Sequence, residues 1–178
     1  MADEIFRVKA QKPIYAVANS LCASAAYWIG SQCSKLYCTP GGQVGSIGVY
    51  IQHQDVSKEF EFAGVAVRLI SAGKFKTEGN PYAPLNPDAR AAIQTEVNNY
   101  YGMFIKAVAR GRGVSIAAVR DGMGKGRCLQ AKDAMLAGMI DGIATLDQVI
   151  AQMQRPGVAA VRSPVGARRH DALRLALL

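Results

Sequence analysis

Long apolar runs are absent from this 178-residue sequence, and none reaches the roughly 20 residues that a membrane-spanning helix requires. The first residues, MADEIFRVKAQKP, are charged and lack the apolar core of a secretory signal peptide. We therefore expect a cytoplasmic protein with no membrane span. Half of the residues are hydrophobic and 19% are charged, which excludes a disordered or fibrous chain and favours one compact domain.

Histidine and closely spaced cysteine are also scarce. The sequence contains four cysteines without a C-x-x-C pair and only two histidines, so we expect no metal site. A disulfide framework is not expected either, because the chain is long and poor in cysteine. We expect Cys22, Cys33, Cys38 and Cys128 to be reduced thiols that pack as small apolar groups.

Acidic residues are outnumbered, with 13 against 21 basic residues and a formal net charge of +8. Between residues 151 and 178, five arginines accompany one aspartate. A basic extension can bind phosphates or acidic partners, but more often it is a solvated segment without a ligand. We do not expect nucleic acid as a partner. We accordingly divide the chain into a domain at residues 1–154 and a basic C-terminal tail at residues 155–178.

Local patterns predict strands that alternate with helices. Strands are expected at residues 12–19, 35–39, 45–51 and 65–70, and helices at 20–33, 55–63, 87–110, 115–121, 130–137 and 145–154. An irregular stretch, 71–85, contains several glycines and prolines, and long loops of this kind are often functional. This alternation predicts an α/β domain with much parallel sheet.

Three segments carry residue types suited to nucleophilic chemistry. In Cys22-Ala-Ser-Ala-Ala-Tyr-Trp28, a serine stands between a strand and an apolar helix. The second segment is Gly45-Ser-Ile-Gly-Val49, and the third is Gly73-Lys-Phe-Lys-Thr-Glu-Gly-Asn-Pro-Tyr82 in the long loop. Taken singly, each has a common structural explanation: a helix N-cap, a tight packing site and a solvated lysine.

In this order and spacing, the three segments resemble the Ser–Lys serine peptidases of the signal peptide peptidase A and phage head-maturation protease family. That family belongs to the ClpP/crotonase superfamily, so the resemblance implies a ClpP/crotonase-like α/β fold. It covers about residues 12 to 150. The run from Lys76 to Tyr82 is more similar to the phage branch than to the membrane-anchored enzymes.

The resemblance implies roles for individual residues. Ser24 matches the nucleophile, and the backbone N–H of Ala25 would be one donor of the oxyanion hole. Lys76 matches the general base, and Ser46 matches the serine that orients that base. A serine hydroxyl is a poor nucleophile until a base removes its proton, and a lysine serves as that base only when it is neutral.

The choice of lysine depends on environment and spacing. Because desolvation favours the neutral amine, we expect Lys76 to be buried beside apolar groups such as Phe75, Ile47 and Tyr82. Lys74 is the alternative base, and strand alternation cannot separate two lysines at positions 74 and 76. The family's spacing to the following Gly-Asn-Pro favours Lys76.

One family element has no counterpart before the nucleophile. The family supplies a second oxyanion donor from a Gly-Gly loop after an earlier strand, whereas here Gly41-Gly42 follows Ser24. We therefore expect the first strands of the fold to be missing, either in a fragment of a longer protein or in a divergent relative. Loss of one oxyanion donor costs about 10²- to 10³-fold in turnover.

The function implied is that of a serine endopeptidase in phage head maturation or in a signal-peptide-peptidase-like role. The alternatives are a catalytically inactive scaffold or assembly domain on the protease fold and an acyl-CoA enzyme of the crotonase type. The expected partners are a protein or peptide substrate, further copies of the chain and phage capsid or scaffold proteins. No metal or cofactor is implied, and a phage-encoded protein would act in the host cytoplasm or the procapsid.

Overall fold

The computed structural model of the protein describes residues 1–155 and the strand Leu175–Leu177. The chain divides into two compact units, one formed by Met1–Gly48 with Gly102–Leu178 and the other by Val49–Tyr101. Apart from Arg155 and that short strand, the basic tail expected at residues 155–178 lies outside the described residues. Within the described part of the chain, no helix combines the length and the apolar character needed to cross a membrane.

The elements follow one another in this order. The chain begins with α1 (Ala2–Val8), β1 (Tyr15–Ala18), β2 (Leu21–Ala23), α2 (Ala25–Gly30), β3 (Lys35–Cys38) and β4 (Gln43–Gly45). The unit at residues 49–101 contains α3 (Ser57–Phe62) and the start of α4 (Pro87–Arg112). After α4 come α5 (Ile116–Gly122), a short 3-10 turn (Gly124–Gly126), β5 (Cys128–Gln130), α6 (Ala131–Leu136), β6 (Gly142–Ile143), α7 (Leu146–Met153) and β7 (Leu175–Leu177).

Two small sheets form the centre of the first unit. One has the order β6-β3-β1-β7 with every pairing parallel, and the other has the order β2-β4-β5, in which β4 pairs with β2 in parallel and with β5 antiparallel. Val17 and Tyr37 on the first sheet pack against Val149 and Met153 of α7. The α/β class predicted from the sequence is confirmed.

Helix α4 is held closely against α2 in the first unit. The rings of Trp28 and Phe104 stack at 4.7 Å between centroids with 9° between their planes. The buried amide of Gln32 donates to the Ala107 carbonyl at 2.9 Å. A Cβ added at Gly111 would stand 2.3 Å from the Ser31 carbonyl oxygen, so the two backbones meet there only because the side chain is absent.

A half-buried carboxylate joins β3, α4 and the segment before β6. Asp141 accepts hydrogen bonds from the Leu36 amide at 2.8 Å and from the Arg112 guanidinium at 2.7 Å, and it pairs with Lys35 at 3.3 Å. Burial opposes ionisation of Asp141, but the bonds from Arg112 and Leu36 together outweigh it, and the pKa of this carboxyl is lowered. The charged form of Asp141 therefore stabilises the fold.

The unit at residues 49–101 contains little regular structure before α4. Asn86 caps α4, because its side-chain oxygen accepts the Ala89 N–H at 2.7 Å. Phe60 of α3 packs edge-to-face on Tyr82 at 5.3 Å, and both line an open pocket of about 350 Å³. Large apolar side chains remain exposed in this unit, with Phe62 at 96% and Ile70 at 100%.

Several local predictions were wrong. The helix expected at 20–33 begins only at Ala25, because Leu21–Ala23 pair with β4 as a strand. The strand expected at 45–51 ends at Gly45, and residues 65–70 form no strand. Residues 65–70 form a short apolar run broken only by Arg68, which is consistent with a strand, but no neighbouring strand pairs with them in the described part of the chain.

Candidate active site

Three residues lie side by side at one end of the β2-β4-β5 sheet. Ser24 follows β2, Ser46 follows β4 and Arg127 precedes β5, and the register pairs Ala23 with Gly45 and Gly45 with Cys128. The Ser24 N–H donates to the Gly45 carbonyl at 2.8 Å, and the Ser46 N–H donates to the Arg127 carbonyl at 3.0 Å. The ladder therefore brings the two serines of the predicted site onto neighbouring chain segments.

The backbone of Ser24 has an unusual conformation, with φ 54° and ψ −124°. These angles are close to those of the first central residue of a type II′ turn, a position that glycine favours. Ser24 is exposed and makes no side-chain capping bond to α2, so the N-cap explanation suggested by its position does not apply. A serine on a sharp, strained strand-to-helix turn is the arrangement that presents a nucleophile in α/β hydrolases.

Helix α2 provides a fixed support for this turn. Its first helical bond runs from the Trp28 N–H to the Ser24 carbonyl at 3.0 Å, which leaves the N–H of Ala25 without an acceptor inside the helix. The buried Tyr27 hydroxyl donates to the Met139 carbonyl at 2.9 Å, and burial raises the pKa of this phenol, which stays neutral. Ala25 at the start of α2 is exposed, so its N–H can donate to an external acceptor.

The segment around Ser46 is also tightly constrained. Ser46 has φ 53°, a left-handed conformation that is uncommon for a residue with a side chain. Gly45 has φ 131°, and a Cβ at this position would lie 2.7 Å from the Arg127 carbonyl oxygen. Gly45 is thus required both by its backbone angle and by the close approach of β5.

Lys76 lies in the other unit, on a loop of successive turns. The Lys76 N–H donates to the Gly73 carbonyl at 3.2 Å, and the Glu78 N–H donates to the Phe75 carbonyl at 3.2 Å. The Lys76 side chain is exposed and Phe75 is 57% exposed, so the expected burial of this lysine is not found in the single chain. The reason is that residues 73–80 form surface turns rather than a strand facing a core.

The alternative lysine differs from Lys76 in its contacts. The ammonium of Lys74 stands 4.8 Å from the centre of the Phe75 ring, a cation–π contact. The described residues show no hydrogen bond or ion pair of the Lys76 ammonium. On these turns the two lysines make different contacts, whereas in an extended segment both side chains would have pointed to the same side.

Asn80 organises the lysine loop, a role that the sequence did not reveal. Its side chain donates to the Thr77 carbonyl at 2.8 Å and accepts the Tyr82 N–H at 2.9 Å. The ring of His53 hydrogen-bonds the Asn80 carbonyl at 3.1 Å, which makes this histidine a support of the loop. Asn-Pro is a turn signal, and that signal could have indicated the role of Asn80.

The comparisons with known proteins identify the family of the chain. Residues 7–160 match the peptidase family S49, and the chain therefore belongs to that family. The resemblance to the signal peptide peptidase A and phage head-maturation proteases is thereby confirmed.

Several relatives carry the names of phage or bacterial proteases. The chain is 32% identical over 153 residues to capsid assembly protease C of Escherichia phage lambda, which covers 86% of this chain and 34% of the relative. It is 31% identical over 152 residues to head-tail preconnector protein GP5 of Enterobacteria phage P21, and the match covers 85% of this chain and 30% of that protein. A putative signal peptide peptidase SppA of Enterococcus faecium is 27% identical over 156 residues, and the match covers 87% of this chain and 45% of that protein.

The match extends over only part of each relative. The chain spans about a third of the length of the two phage proteins, with 34% and 30% of them covered. Among solved structures, a mutant of the membrane-bound stomatin-specific protease 1510-N is 14% identical with a TM-score of 0.48, covering 85% of this chain and 63% of that one.

Proposed function

We propose that this chain is the catalytic part of a serine endopeptidase, in which Ser24 attacks the peptide carbonyl and Lys76 accepts its proton. The observation that carries the proposal is the strained, exposed turn at Ser24, whose hydroxyl caps no helix. Backbone strain of this kind costs about 1 to 3 kcal/mol and persists where the surrounding structure enforces it. Strain of this kind clusters at active sites, where it helps to hold reacting groups in place.

The neighbours of Ser24 fit the remaining roles. Ala25 is the exposed first residue of α2, and its N–H is suited to donate to the oxyanion of a tetrahedral intermediate. Ser46 follows the strand next to that of Ser24, and its hydroxyl would hold the amine of Lys76 in position. The proposed catalytic domain is the segment 1–154, with the basic tail outside it.

The exposure of Lys76 makes its desolvation a condition of activity. A lysine acts as a base only in its neutral form, which the removal of water favours. In the proposed enzyme, bound substrate and further copies of the chain exclude water from Lys76. The exposed apolar side chains of residues 49–101, among them Tyr50 at 86%, support a homo-oligomer of this kind.

We propose phage head maturation as the role of the whole protein. The support is that the relatives at 32% and 31% identity are named a capsid assembly protease and a head-tail preconnector protein. Capsid or scaffold proteins would then be substrates, and the reaction would occur in the host cytoplasm or the procapsid. A signal-peptide-peptidase-like role is the second candidate, supported by the relative named SppA.

A catalytically inactive assembly domain is the competing function, and the exposure of Lys76 is the observation that favours it. The two functions differ in one measurable respect, because only the peptidase hydrolyses protein. The deciding assay is cleavage of fluorescein-labelled denatured casein across alkaline pH, with the parent chain compared with its Ser24→Ala and Lys76→Ala variants. Circular dichroism melting curves establish that each variant folds.

We expect each of the two variants to lose cleavage by about 10²-fold or more, because nucleophile and base act as one unit. Lys74→Ala is the matched control, two residues away on the same loop, and it should retain activity. Loss of cleavage in Lys74→Ala with retention in Lys76→Ala would overturn the assignment of the base. A folded parent chain without any cleavage, at concentrations where it is oligomeric, would favour the assembly domain.

A further inference from the structure

Two exposed cations stand beside the proposed nucleophile and have no part in the dyad. Lys125 and Arg127 lie immediately before β5, and both side chains are exposed. The register pairs Gly45 with Cys128, so Arg127 lies next to Ser46, just as Ser46 lies next to Ser24. Neighbouring strands are about 4.8 Å apart, which puts the backbones of Ser24 and Arg127 on the order of 10 Å from each other.

The conformation of the loop places the backbone that carries these cations beside the segment that leaves Ser46. Gly124, Lys125 and Gly126 have φ of 78°, 48° and 91°, three successive residues in the left-handed region. The Arg127 N–H closes the turn by donating to the Gly124 carbonyl at 2.9 Å. A Cβ at Gly48 would lie 3.5 Å from the Cα of Gly126, so the loop is in contact with the chain that leaves Ser46.

Neither cation is neutralised by an acidic side chain in the part of the chain that the structure describes. No ion pair of Lys125 or Arg127 is found among those residues. The first two residues of α2 beside Ser24 are small alanines, which leave space in front of the nucleophile. An extended arginine side chain can cover most of the distance from Arg127 to that space.

We propose that Arg127, with Lys125, binds an acidic side chain of the peptide substrate near the scissile bond. The proposed site is thus a specificity site for Asp or Glu at the end of the β2-β4-β5 sheet. Arginine suits this task because its planar guanidinium can donate two parallel hydrogen bonds to one carboxylate. The inference rests on the proposed peptidase function, because that function makes a peptide the ligand. Its test, however, measures binding and does not require cleavage.

The primary test measures binding and therefore does not depend on cleavage. The protein is the full chain carrying Ser24→Ala, and the probes are two fluorescein-labelled peptides of one Ala- and Leu-rich sequence with a central Glu or Gln. Fluorescence anisotropy should show about fivefold tighter binding of the Glu peptide, with a difference that shrinks as salt is added. Adding Arg127→Gln should abolish this preference. Adding Arg127→Glu should instead favour a third peptide of the same sequence with a central Lys, which should then bind more tightly than the Glu peptide.

The matched control is Lys106→Gln, which removes an exposed cation of the same unit from α4 and should leave the preference unchanged. Equal binding of the two peptides, or a preference that survives Arg127→Gln, would overturn the proposal. The ratio of kcat/KM for the two peptides is then compared in chains that retain Ser24. Ser24-dependent cleavage without the acidic preference would refute this inference alone, whereas an Arg127-dependent binding preference without cleavage would refute the peptidase function alone.

Discussion

The backbone strain at Ser24 leads to a test in which stability and activity change in opposite directions. Ser24→Gly removes the side chain from a residue with φ 54° and ψ −124°, angles that glycine adopts without a steric penalty. Ser24→Ala is the matched control, because it removes the hydroxyl but keeps the Cβ and the strain. Both substitutions remove the nucleophile, so both should abolish cleavage.

The expected stability change follows from three contributions. The Ser24 hydroxyl is exposed and makes no capping bond, so Ser24→Ala should change the free energy of unfolding by less than about 0.5 kcal/mol. Relief of the strained conformation is worth about 1 to 3 kcal/mol. The greater conformational freedom of glycine in the unfolded chain lowers the free energy of unfolding by about 0.4 to 1 kcal/mol. Ser24→Gly should therefore be about 1 kcal/mol more stable than Ser24→Ala.

Urea denaturation followed by circular dichroism measures this difference directly. A gain of about 1 kcal/mol should also raise the melting temperature by roughly 2 to 4 °C for a chain of this size. A Ser24→Gly variant that is less stable than Ser24→Ala, as expected for glycine at an ordinary position, would refute the strain at this turn. Such a result would also remove the main support for Ser24 as the nucleophile.

Three further outcomes concern the rest of the fold. Gly111→Ala should lower the free energy of unfolding by about 1 to 3 kcal/mol, because its Cβ would stand 2.3 Å from a backbone oxygen. Gly102→Ala in the same helix has open space around the new Cβ and should raise the free energy of unfolding by about 0.5 to 1 kcal/mol. Urea denaturation curves of the two variants measure both changes. Asp141→Asn should cost about 2 kcal/mol at neutral pH through the lost charge-assisted bonds. Because folding lowers the pKa of Asp141, this contribution is present above the unfolded value of about 4 and is lost as the pH falls through the lower folded value, so melts at decreasing pH should show the wild-type advantage shrinking. Brief iodoacetamide treatment near pH 8, followed by peptide mass spectrometry, should label Cys128 before Cys22, because burial raises the pKa of Cys22 to about 12; faster labelling of Cys22 would contradict its burial.

The elements with strong local signals were predictable from the sequence. Asn86 and Pro87 at the start of α4, and Thr145 with the capping box of α7, specify helix ends by short-range hydrogen bonds. The strands of two to four residues were harder, because β2, β5 and β6 are too short to show an alternating pattern. Their pairing is decided by partners far along the chain, which a local pattern does not contain.

The candidate site shows the same division. The residue types at Ser24, Ser46 and Lys76 and their order along the chain were visible in the sequence, and the family that they resemble is the one that the chain matches. Their roles in the site remain a proposal. The strain at Ser24 was not visible, because a serine before a helix predicts an ordinary N-cap. The position of Arg127 was hidden for another reason, since only the antiparallel pairing of β5 with β4 brings it beside Ser46.

The proposed dyad and the proposed specificity site make opposite electrostatic demands. In the proposed enzyme Lys76 acts as a base beside Ser46, and a positive charge there favours the neutral amine, because a like charge disfavours the ammonium. Arg127 lies next to Ser46 and has no acidic partner in the described part of the chain. An acidic substrate side chain bound to Arg127 would offset that effect while positioning the scissile bond. The proposed dyad and the proposed specificity site therefore oppose each other electrostatically, and substitution of Arg127 should change the pH profile of cleavage as well as the preference for acidic peptides.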